Sequence, residues 1–137
     1  MKNRKKFTMI EMVVVVLLIA LLAAIATPMY FGYLKDARVT AAKSQLDLFQ
    51  QAITDYSLKM GSIPAQEAGL EVLVKRPADA KGWRPFLKGD SIPLDPWGRP
   101  YIYRVLGTNE YELISYGEDG KAGGEEYDED LILHVNN

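Results

Sequence analysis

Residues 7–34 read FTMIEMVVVVLLIALLAAIATPMYFGYL, and this stretch decides how the whole chain is organised. Its one charged side chain is the carboxylate of Glu11, which stands where the apolar run begins. Residues 12–26 carry no polar or charged side chain at all. A carboxylate beside hydrocarbon is costly unless it has a partner or a task, so Glu11 indicates a functional position.

The spacing between Phe7 and Glu11 suggests that partner. If the chain is cut before Phe7, a new α-amino cation lies four residues from Glu11. On a neighbouring copy, that cation would neutralise the carboxylate within a bundle of apolar helices. A helix that is apolar on all sides belongs in lipid or among other helices. The pattern therefore predicts a subunit that is stored in a membrane and assembles into a helical filament through Phe7 and Glu11.

The net charge of −2 is distributed unevenly along the chain: residues 1–6 carry +4 and the remainder carries −6. An acidic remainder argues against nucleic-acid binding, which needs a basic folded surface. A basic end before an apolar segment predicts a cytoplasmic N-terminus and a C-terminal domain across the membrane. The chain has no cysteine, which excludes a disulfide framework and leaves a metal or oligomerisation to stabilise a small exported domain.

A cleaved secretory signal is the alternative for the N-terminus. Residues 12–26 have the length of a signal core, and residues 23–26 read AAIA, similar to a small-residue cleavage site. Against this, Glu11 interrupts the start of the apolar stretch, and the helical pattern continues past Pro28. We therefore divide the chain into a basic leader (1–6), a transmembrane and filament-core helix (7–34) and a soluble periplasmic domain (35–137).

One long helix is predicted over residues 7–60, with Pro28 expected to kink or loosen it and Gly61 as its C-cap. After Pro28, apolar residues recur at three- and four-residue intervals, which is typical of a helix with one buried face. These residues are Val39, Ala42, Leu46, Phe49, Ile53, Tyr56 and Met60.

The remainder of the chain predicts a small antiparallel sheet. A short helix is expected over 66–74 and a loop over 76–90, pinned to the core by Trp83 and Phe86. A turn at 95–98 leads into a hairpin with strands 101–105 and 111–115, and residues 131–133 suggest a third strand. The predicted fold class is α+β: a long N-terminal helix packed on this sheet, with an acidic loop near the C-terminus.

That acidic loop is the strongest candidate for a metal site. Between residues 118 and 130 there are seven acids and one base, Lys121, with glycines beside them. Clustered carboxylates on a glycine-permitted path suit Ca²⁺, which takes six to eight oxygen ligands in loose geometry. The spacing differs from that of an EF-hand, so the residues alone leave a solvated acidic surface as an open alternative.

Catalysis has little support in the sequence. There is no cysteine, and the single histidine, His134, lies near no nucleophile pattern. No Gly-x-Ser-x-Gly, P-loop or dinucleotide-binding glycine motif occurs. His134 is predicted to be a surface residue and the protein not to be an enzyme.

Four segments carry a resemblance to a known family. They are Phe7-Thr8-Met9-Ile10-Glu11 with its apolar run, Lys35-Asp36-Ala37-Arg38-Val39, Asp95-Pro96-Trp97-Gly98-Arg99-Pro100-Tyr101, and Ser115-Tyr116-Gly117-Glu118-Asp119-Gly120. Together they resemble the major pseudopilins of the type II secretion system, within the type IV pilin-like superfamily, over about residues 5–131. The resemblance implies a pilin-like fold and a structural subunit of a periplasmic pseudopilus that polymerises to drive protein export.

The resemblance also implies particular sites. A prepilin peptidase would cleave between Lys6 and Phe7 and methylate the new amine, although the family usually has glycine where Lys6 stands. Calcium would be held by Asp119, Asp128 and Asp130, supplemented by backbone carbonyls near residues 113–115.

The implied partners are other copies of the chain, minor pseudopilins and an inner-membrane assembly platform. The implied location is the inner membrane before assembly, with a single span, and the periplasmic pseudopilus afterwards.

Two other functions remain open from the sequence. One is a type IV pilin or another pseudopilin of a surface filament, although many pilins close the C-terminal region with a disulfide that this chain cannot form. The other is a signal-anchored, monomeric, calcium-dependent binding module.

Overall fold

The computed structural model describes residues 7–78 and 80–136 and has an α+β fold, as predicted. It contains helix α1 (Met9–Met60), strands β1 (Ile102–Val105), β2 (Glu110–Ser115) and β3 (Leu131–Asn136), and short 3₁₀ helices at Gly69–Leu73 and Glu126–Asp128. The chain divides into two compact units, the first ending at Asp36 and the second beginning at Ala37.

Helix α1 starts two residues later than predicted and continues through Pro28 without interruption. In the first unit its large apolar side chains are all exposed. Among the described residues, α1 is the one helix that by length and composition could cross a membrane. The apolar half of α1 therefore has the dimensions of a span, as the sequence predicted.

The second unit is organised around the other half of α1. Ala42, Leu46, Phe49 and Ile53 are buried at three- and four-residue spacing, which confirms the predicted stripe. Gly61 follows the last helical residue, and its backbone N–H donates to the carbonyl of Ser57 at 2.8 Å. This half of the helix is held by packing of one apolar face, as expected when propensity alone is too weak.

The sheet that receives this face has strand order β1-β2-β3, with both pairings antiparallel. Tyr103, Leu113 and Leu133 lie opposite one another across the three strands. Tyr101 packs edge-on against Phe49, with ring centroids 5.0 Å apart. The third strand was predicted over 131–133 but continues to Asn136, while the first starts one residue later and the second one residue earlier than predicted.

The predicted helix over 66–74 is wrong in extent, since only a five-residue 3₁₀ helix, Gly69–Leu73, forms there. Gly69 has a φ of 59°, which an α-helix does not allow. The amide of Gln66 is used elsewhere: its Nε2 donates to Tyr103 O (2.9 Å), and its Oε1 accepts from Val105 N (2.7 Å). Because these contacts satisfy the free edge of β1, the tertiary structure overrides the local helical preference.

The two aromatic anchors of the long loop were predicted correctly. Trp83 Nε1 donates to Val72 O at 2.7 Å. Phe86 packs edge-on against Tyr56, with ring centroids 5.2 Å apart, and its backbone N–H donates to Leu73 O at 2.8 Å. The loop is therefore fixed to both α1 and the 3₁₀ segment.

A buried tyrosine in the sheet leads to the first prediction. Tyr111 is fully buried, and its hydroxyl has no hydrogen-bond partner among the described residues. The neighbouring Tyr103 hydroxyl donates to Pro64 O at 2.8 Å. Removing an unsatisfied buried hydroxyl is neutral or stabilising, whereas losing a made hydrogen bond costs about 1 kcal/mol. Tyr111→Phe should therefore preserve or raise the melting temperature near neutral pH, and Tyr103→Phe, the matched control, should lower it.

The same pair of variants predicts how stability depends on alkaline pH. Burial raises the pKa of Tyr111 above its ordinary value. An unfolded tyrosine ionises near pH ~10 and the folded one at higher pH, so its contribution is complete below pH ~10 and is lost above it, at about 1.4 kcal/mol per pH unit. Tyr111→Phe should flatten this alkaline loss in thermal unfolding. A marked loss of stability in Tyr111→Phe at neutral pH would show that the hydroxyl has a partner.

Candidate functional site

The N-terminus of α1 is closed by contacts between Thr8 and Glu11. Glu11 Oε2 accepts hydrogen bonds from the backbone N of Thr8 (2.8 Å) and from its Oγ1 (2.9 Å). Thr8 Oγ1 in turn accepts from Glu11 N (3.3 Å). This reciprocal pattern is a capping box, which satisfies N–H groups that the first helical turn leaves without partners. The Thr-x-x-Glu spacing could have revealed it, but the sequence prediction assigned Glu11 to assembly alone.

Phe7, the predicted processing residue, is 78% exposed and lies directly before this capping box. Lys6 and the rest of the leader lie outside the described residues. Pairing of Glu11 with the Phe7 amine of another copy stays a prediction. Both bonds from Thr8 end on Oε2 of Glu11, so the box as described uses one oxygen of the carboxylate.

The second region of interest starts at Asp95, a carboxylate that is 4% exposed. Its Oδ1 accepts from Trp97 N (3.0 Å) and Arg99 N (2.8 Å), which closes the predicted turn. Its Oδ2 accepts from Ser115 Oγ (2.8 Å) at the end of β2. The sequence predicted the turn but not the link to Ser115, which joins two segments far apart in the chain. Burial, and then the nearby charge of Asp95, raises the pKa of the Tyr101 hydroxyl.

The acidic loop follows β2 and folds back on itself before β3. Asp119 Oδ1 accepts from Lys121 N (2.9 Å), and Asp130 Oδ2 accepts from Gly123 N (2.8 Å). Near the end of the loop, Glu126–Asp128 forms a single 3₁₀ turn. The carboxylates thus order the loop through its own backbone, a role that the sequence did not predict for them.

The three predicted calcium ligands differ in their surroundings. Asp130 Oδ1 is buried and has no hydrogen-bond partner among the described residues, which leaves an acceptor suited to a cation. Asp119 and Asp128 are exposed. Within residues 7–78 and 80–136, no group of three acidic or histidine side chains lies close enough together to hold a metal ion. The donor type at Asp130 therefore fits calcium, although the structure does not gather the three carboxylates.

The predicted supplementary carbonyls, near residues 113–115, lie mostly inside the sheet. Leu113 and Ile114 each pair with both β1 and β3. The loop carbonyls just beyond β2 are also engaged, since Tyr116 O accepts from Gly120 N at 3.1 Å. A cation bound at these positions would share each carbonyl oxygen with an existing hydrogen bond.

His134 lies on β3 and is exposed, as predicted. Its Nε2 is 3.1 Å from Glu110 Oε1, and its Nδ1 is 3.5 Å from Glu112 Oε1. Arg104 Nη1 lies 3.2 Å from the other oxygen of Glu112. These groups form a row of polar and charged side chains across the strands, and exposed rows of this kind contribute little to stability.

Two family models match this chain, one over the N-terminus of α1 and the other over the Asp95 turn and the acidic loop. Residues 29–134 match the family described as type II secretion system protein G, and residues 1–27 match the prokaryotic N-terminal methylation motif. The chain belongs to the type II secretion system protein G family. The second match covers the region of Thr8 and Glu11, and the first covers the Asp95 turn and the acidic loop.

Individual relatives match this chain over most of its length. The type II secretion system core protein G of Pseudomonas aeruginosa is 38% identical, covering 95% of this chain and 94% of that one. The protein of the same name from Xanthomonas campestris is 32% identical, covering 90% and 85%. The crystal structure of the major pseudopilin from the type 2 secretion system of enterohaemorrhagic Escherichia coli is similar, with a TM-score of 0.58 and 25% identity, covering 74% of this chain and 90% of that one.

Proposed function

We propose that this protein is the repeating subunit of a pseudopilus whose growth drives protein export by a type II secretion system. Its family and the names of its relatives support this function. The role is structural: the subunit supplies surfaces that bind other subunits, and it carries out no chemical step of its own.

The observation that carries the proposal is the exposed apolar half of α1. Nineteen large apolar side chains between residues 7 and 34 are exposed. A contiguous apolar surface of this size requires a cover. Lipid supplies it while the subunit is stored in the inner membrane, and neighbouring copies supply it in the filament. A contact that repeats head to tail without closing produces a helical filament.

Processing prepares the subunit for this exchange of surroundings. A prepilin peptidase removes residues 1–6 and methylates Phe7, and the new amine then pairs with Glu11 of a neighbour. An inner-membrane assembly platform and minor pseudopilins start and extend the filament. The N-terminus lies in the cytoplasm and the C-terminal domain in the periplasm.

Overproduction of the full chain in a host with an intact type II system tests this function. Electron microscopy should show filaments, and intact-mass measurement should show loss of residues 1–6 with one added methyl group. A host without the prepilin peptidase is the control and should yield neither. Processed protein that stays monomeric would favour the calcium-dependent binding module instead, and filaments of full-length chains would contradict the proposed role of the Phe7 amine.

Calcium is proposed as the ion that closes the acidic loop, with Asp119, Asp128 and Asp130 as ligands. The support is the buried oxygen of Asp130, which has no hydrogen-bond partner within the part of the chain that the structure describes, and the high density of carboxylates in a loop without a disulfide. When bound, the cation would relieve the repulsion between these carboxylates. Closure would give the C-terminal surface one defined shape for contacts with neighbouring subunits.

A further inference from the structure

Arg99 connects the Asp95 turn to the first residues of the acidic loop. Its Nη1 donates to Gly117 O at 2.6 Å, and its Nη2 donates to Glu118 O at 3.0 Å. Two parallel bonds from one guanidinium to consecutive carbonyls fix both distance and orientation, which a single ammonium cannot do. The fork therefore defines the path of the backbone where the loop leaves β2.

Gly120 leaves the space that this guanidinium occupies. A Cβ placed at residue 120 would collide with Nε, Cζ and Nη2 of Arg99. The φ of Gly120 is 72°, which also disfavours any larger residue. The arginine and the glycine are thus matched: the side chain lies in the position that the missing Cβ leaves open.

The backbone of Arg99 is held by hydrogen bonds, as its guanidinium is. The backbone of Arg99 exchanges two hydrogen bonds with Asp95, from Arg99 N to Asp95 Oδ1 (2.8 Å) and from Asp95 N to Arg99 O (2.7 Å). The other oxygen of Asp95 accepts from Ser115, two residues before Gly117. Asp95, Arg99, Gly117 and Ser115 thus form a closed ring of contacts, so the guanidinium is held on a rigid support.

Gly117 and Glu118, the two residues that Arg99 contacts, also lie where the two ends of the loop meet. Glu118 N donates to Tyr127 O at 3.4 Å. A Cβ at Gly117 would lie 3.0 Å from Glu129 O, which shows how closely the returning chain passes. Holding Gly117 and Glu118 therefore also positions the returning part of the loop, which ends at Asp130 just before β3. In addition, Arg99 brings a positive charge to a segment, residues 117–130, whose own net charge is −6.

We propose that Arg99 is the positioning residue of the acidic loop, acting as a permanent internal cation that holds the loop closed at its base before any metal binds. This proposal extends the proposed calcium closure but does not depend on it, because the guanidinium contacts exist without a metal. Arg99 would thereby lower the cost of ordering the loop for calcium and for contacts with neighbouring subunits.

Limited trypsin digestion of the full chain in detergent, with chelator present, tests this role. Lys121 lies within the loop, and cleavage after it reports loop opening, since proteolysis follows the population of the open state. Replacing Arg99 leaves the set of trypsin sites unchanged, because the Arg99–Pro100 bond is resistant to trypsin. Cleavage after Lys88, in a different exposed loop, serves as the internal reference.

Arg99→Gln should increase the rate of cleavage after Lys121 by about tenfold or more, since hydrogen bonds from a charged donor are stronger than neutral ones. The rate after Lys88 should not change. Arg99→Lys keeps the charge but lacks the fork, so it should also accelerate cleavage after Lys121, by a smaller factor than Arg99→Gln. Arg104→Gln, which removes an exposed arginine of the same sheet, is the matched control and should leave both rates unchanged.

Gly120→Ala provides an independent check that keeps Arg99 in place, because its Cβ displaces the guanidinium. It should also accelerate cleavage after Lys121. In an Arg99→Gln background it should accelerate cleavage by a smaller factor, because only the backbone strain at a φ of 72° then remains. Unchanged cleavage after Lys121 in Arg99→Gln, or equal acceleration after Lys121 and Lys88, would overturn the proposal. So would Arg99→Lys cleaved at the unmodified rate. If added calcium changes no rate while Arg99→Gln still opens the loop, the calcium proposal fails and the role of Arg99 stands.

Discussion

Replacing Glu11 with leucine should abolish filament assembly while leaving the protein inserted in the membrane. In the filament, the methylated amine of Phe7 from one subunit enters an apolar bundle, where the carboxylate of a neighbour must neutralise it. An ionic group left without its partner in such surroundings costs roughly 3–5 kcal/mol per contact. Because the contact repeats in every subunit, the loss should prevent growth. Electron microscopy measures filament yield, and membrane fractionation measures insertion.

The capping box allows the two roles of Glu11, helix capping and charge pairing, to be tested separately. Glu11 does two things that Glu11→Leu removes together: it accepts the Thr8 hydrogen bonds within its own chain and it supplies a negative charge. Glutamine is also a capping-box residue, so Glu11→Gln keeps the cap and removes only the charge. Thr8→Val does the reverse, because it removes the hydroxyl and keeps the carboxylate.

If charge pairing governs assembly, Glu11→Gln should form no filaments, like Glu11→Leu, and Thr8→Val should still form filaments. Losing the hydroxyl of an N-cap residue costs only about 1 kcal/mol. Normal filaments from Glu11→Gln would show that Glu11 acts as a helix cap, and the proposed contact with the Phe7 amine would be wrong.

Millimolar calcium should raise the melting temperature of the purified full chain relative to the same protein in chelator. A ligand that binds only the folded state adds about 2.7 kcal/mol at a hundredfold excess over Kd. For a domain of about 100 residues this corresponds to a shift of roughly 10 °C or more. Magnesium should substitute poorly, because it requires tighter octahedral geometry and loses water reluctantly.

Replacing a loop carboxylate should reduce the calcium-dependent shift in melting temperature, whereas replacing a carboxylate elsewhere should not. Asp119→Asn, Asp128→Asn and Asp130→Asn should each remove most of the calcium-dependent shift. Asp130→Asn should do so most strongly, because Asp130 Oδ1 is buried and has no partner among residues 7–78 and 80–136. Glu67→Gln, an exposed change outside the loop, is the matched control and should keep the full shift. Equal melting temperatures with and without calcium in the unmodified chain would contradict the calcium site and favour the alternative, a solvated acidic surface.

The elements that the sequence predicted well are those specified by periodicity. The buried stripe of Leu46, Phe49 and Ile53 repeats with the helical period, and alternation marks the strands around Tyr103 and Leu113. The turn at Asp95 also carries its own local signal. Such patterns depend on neighbours along the chain, so they can be read without knowledge of the fold.

The contacts that the sequence did not predict join residues far apart. Gln66 was assigned to a helix, but its amide instead covers the edge of β1. Arg99 appeared as part of a turn, yet its guanidinium reaches the loop that follows β2. A side chain that bonds a distant backbone leaves no periodic signal, because its partner is defined only once the strands are paired.

The sequence by itself determined that this chain has an apolar helical half with one carboxylate where it begins, since the unbroken apolar run over residues 12–26 is a local property of the chain. It also determined the helix–hairpin order that places an acidic loop before the last strand. Only the tertiary structure decided how that loop is held. The ring of Asp95, Ser115, Arg99 and Gly117 forms because the pairing of β1 with β2 brings the turn that precedes β1 next to the end of β2. The space for the guanidinium exists because residue 120 has no Cβ.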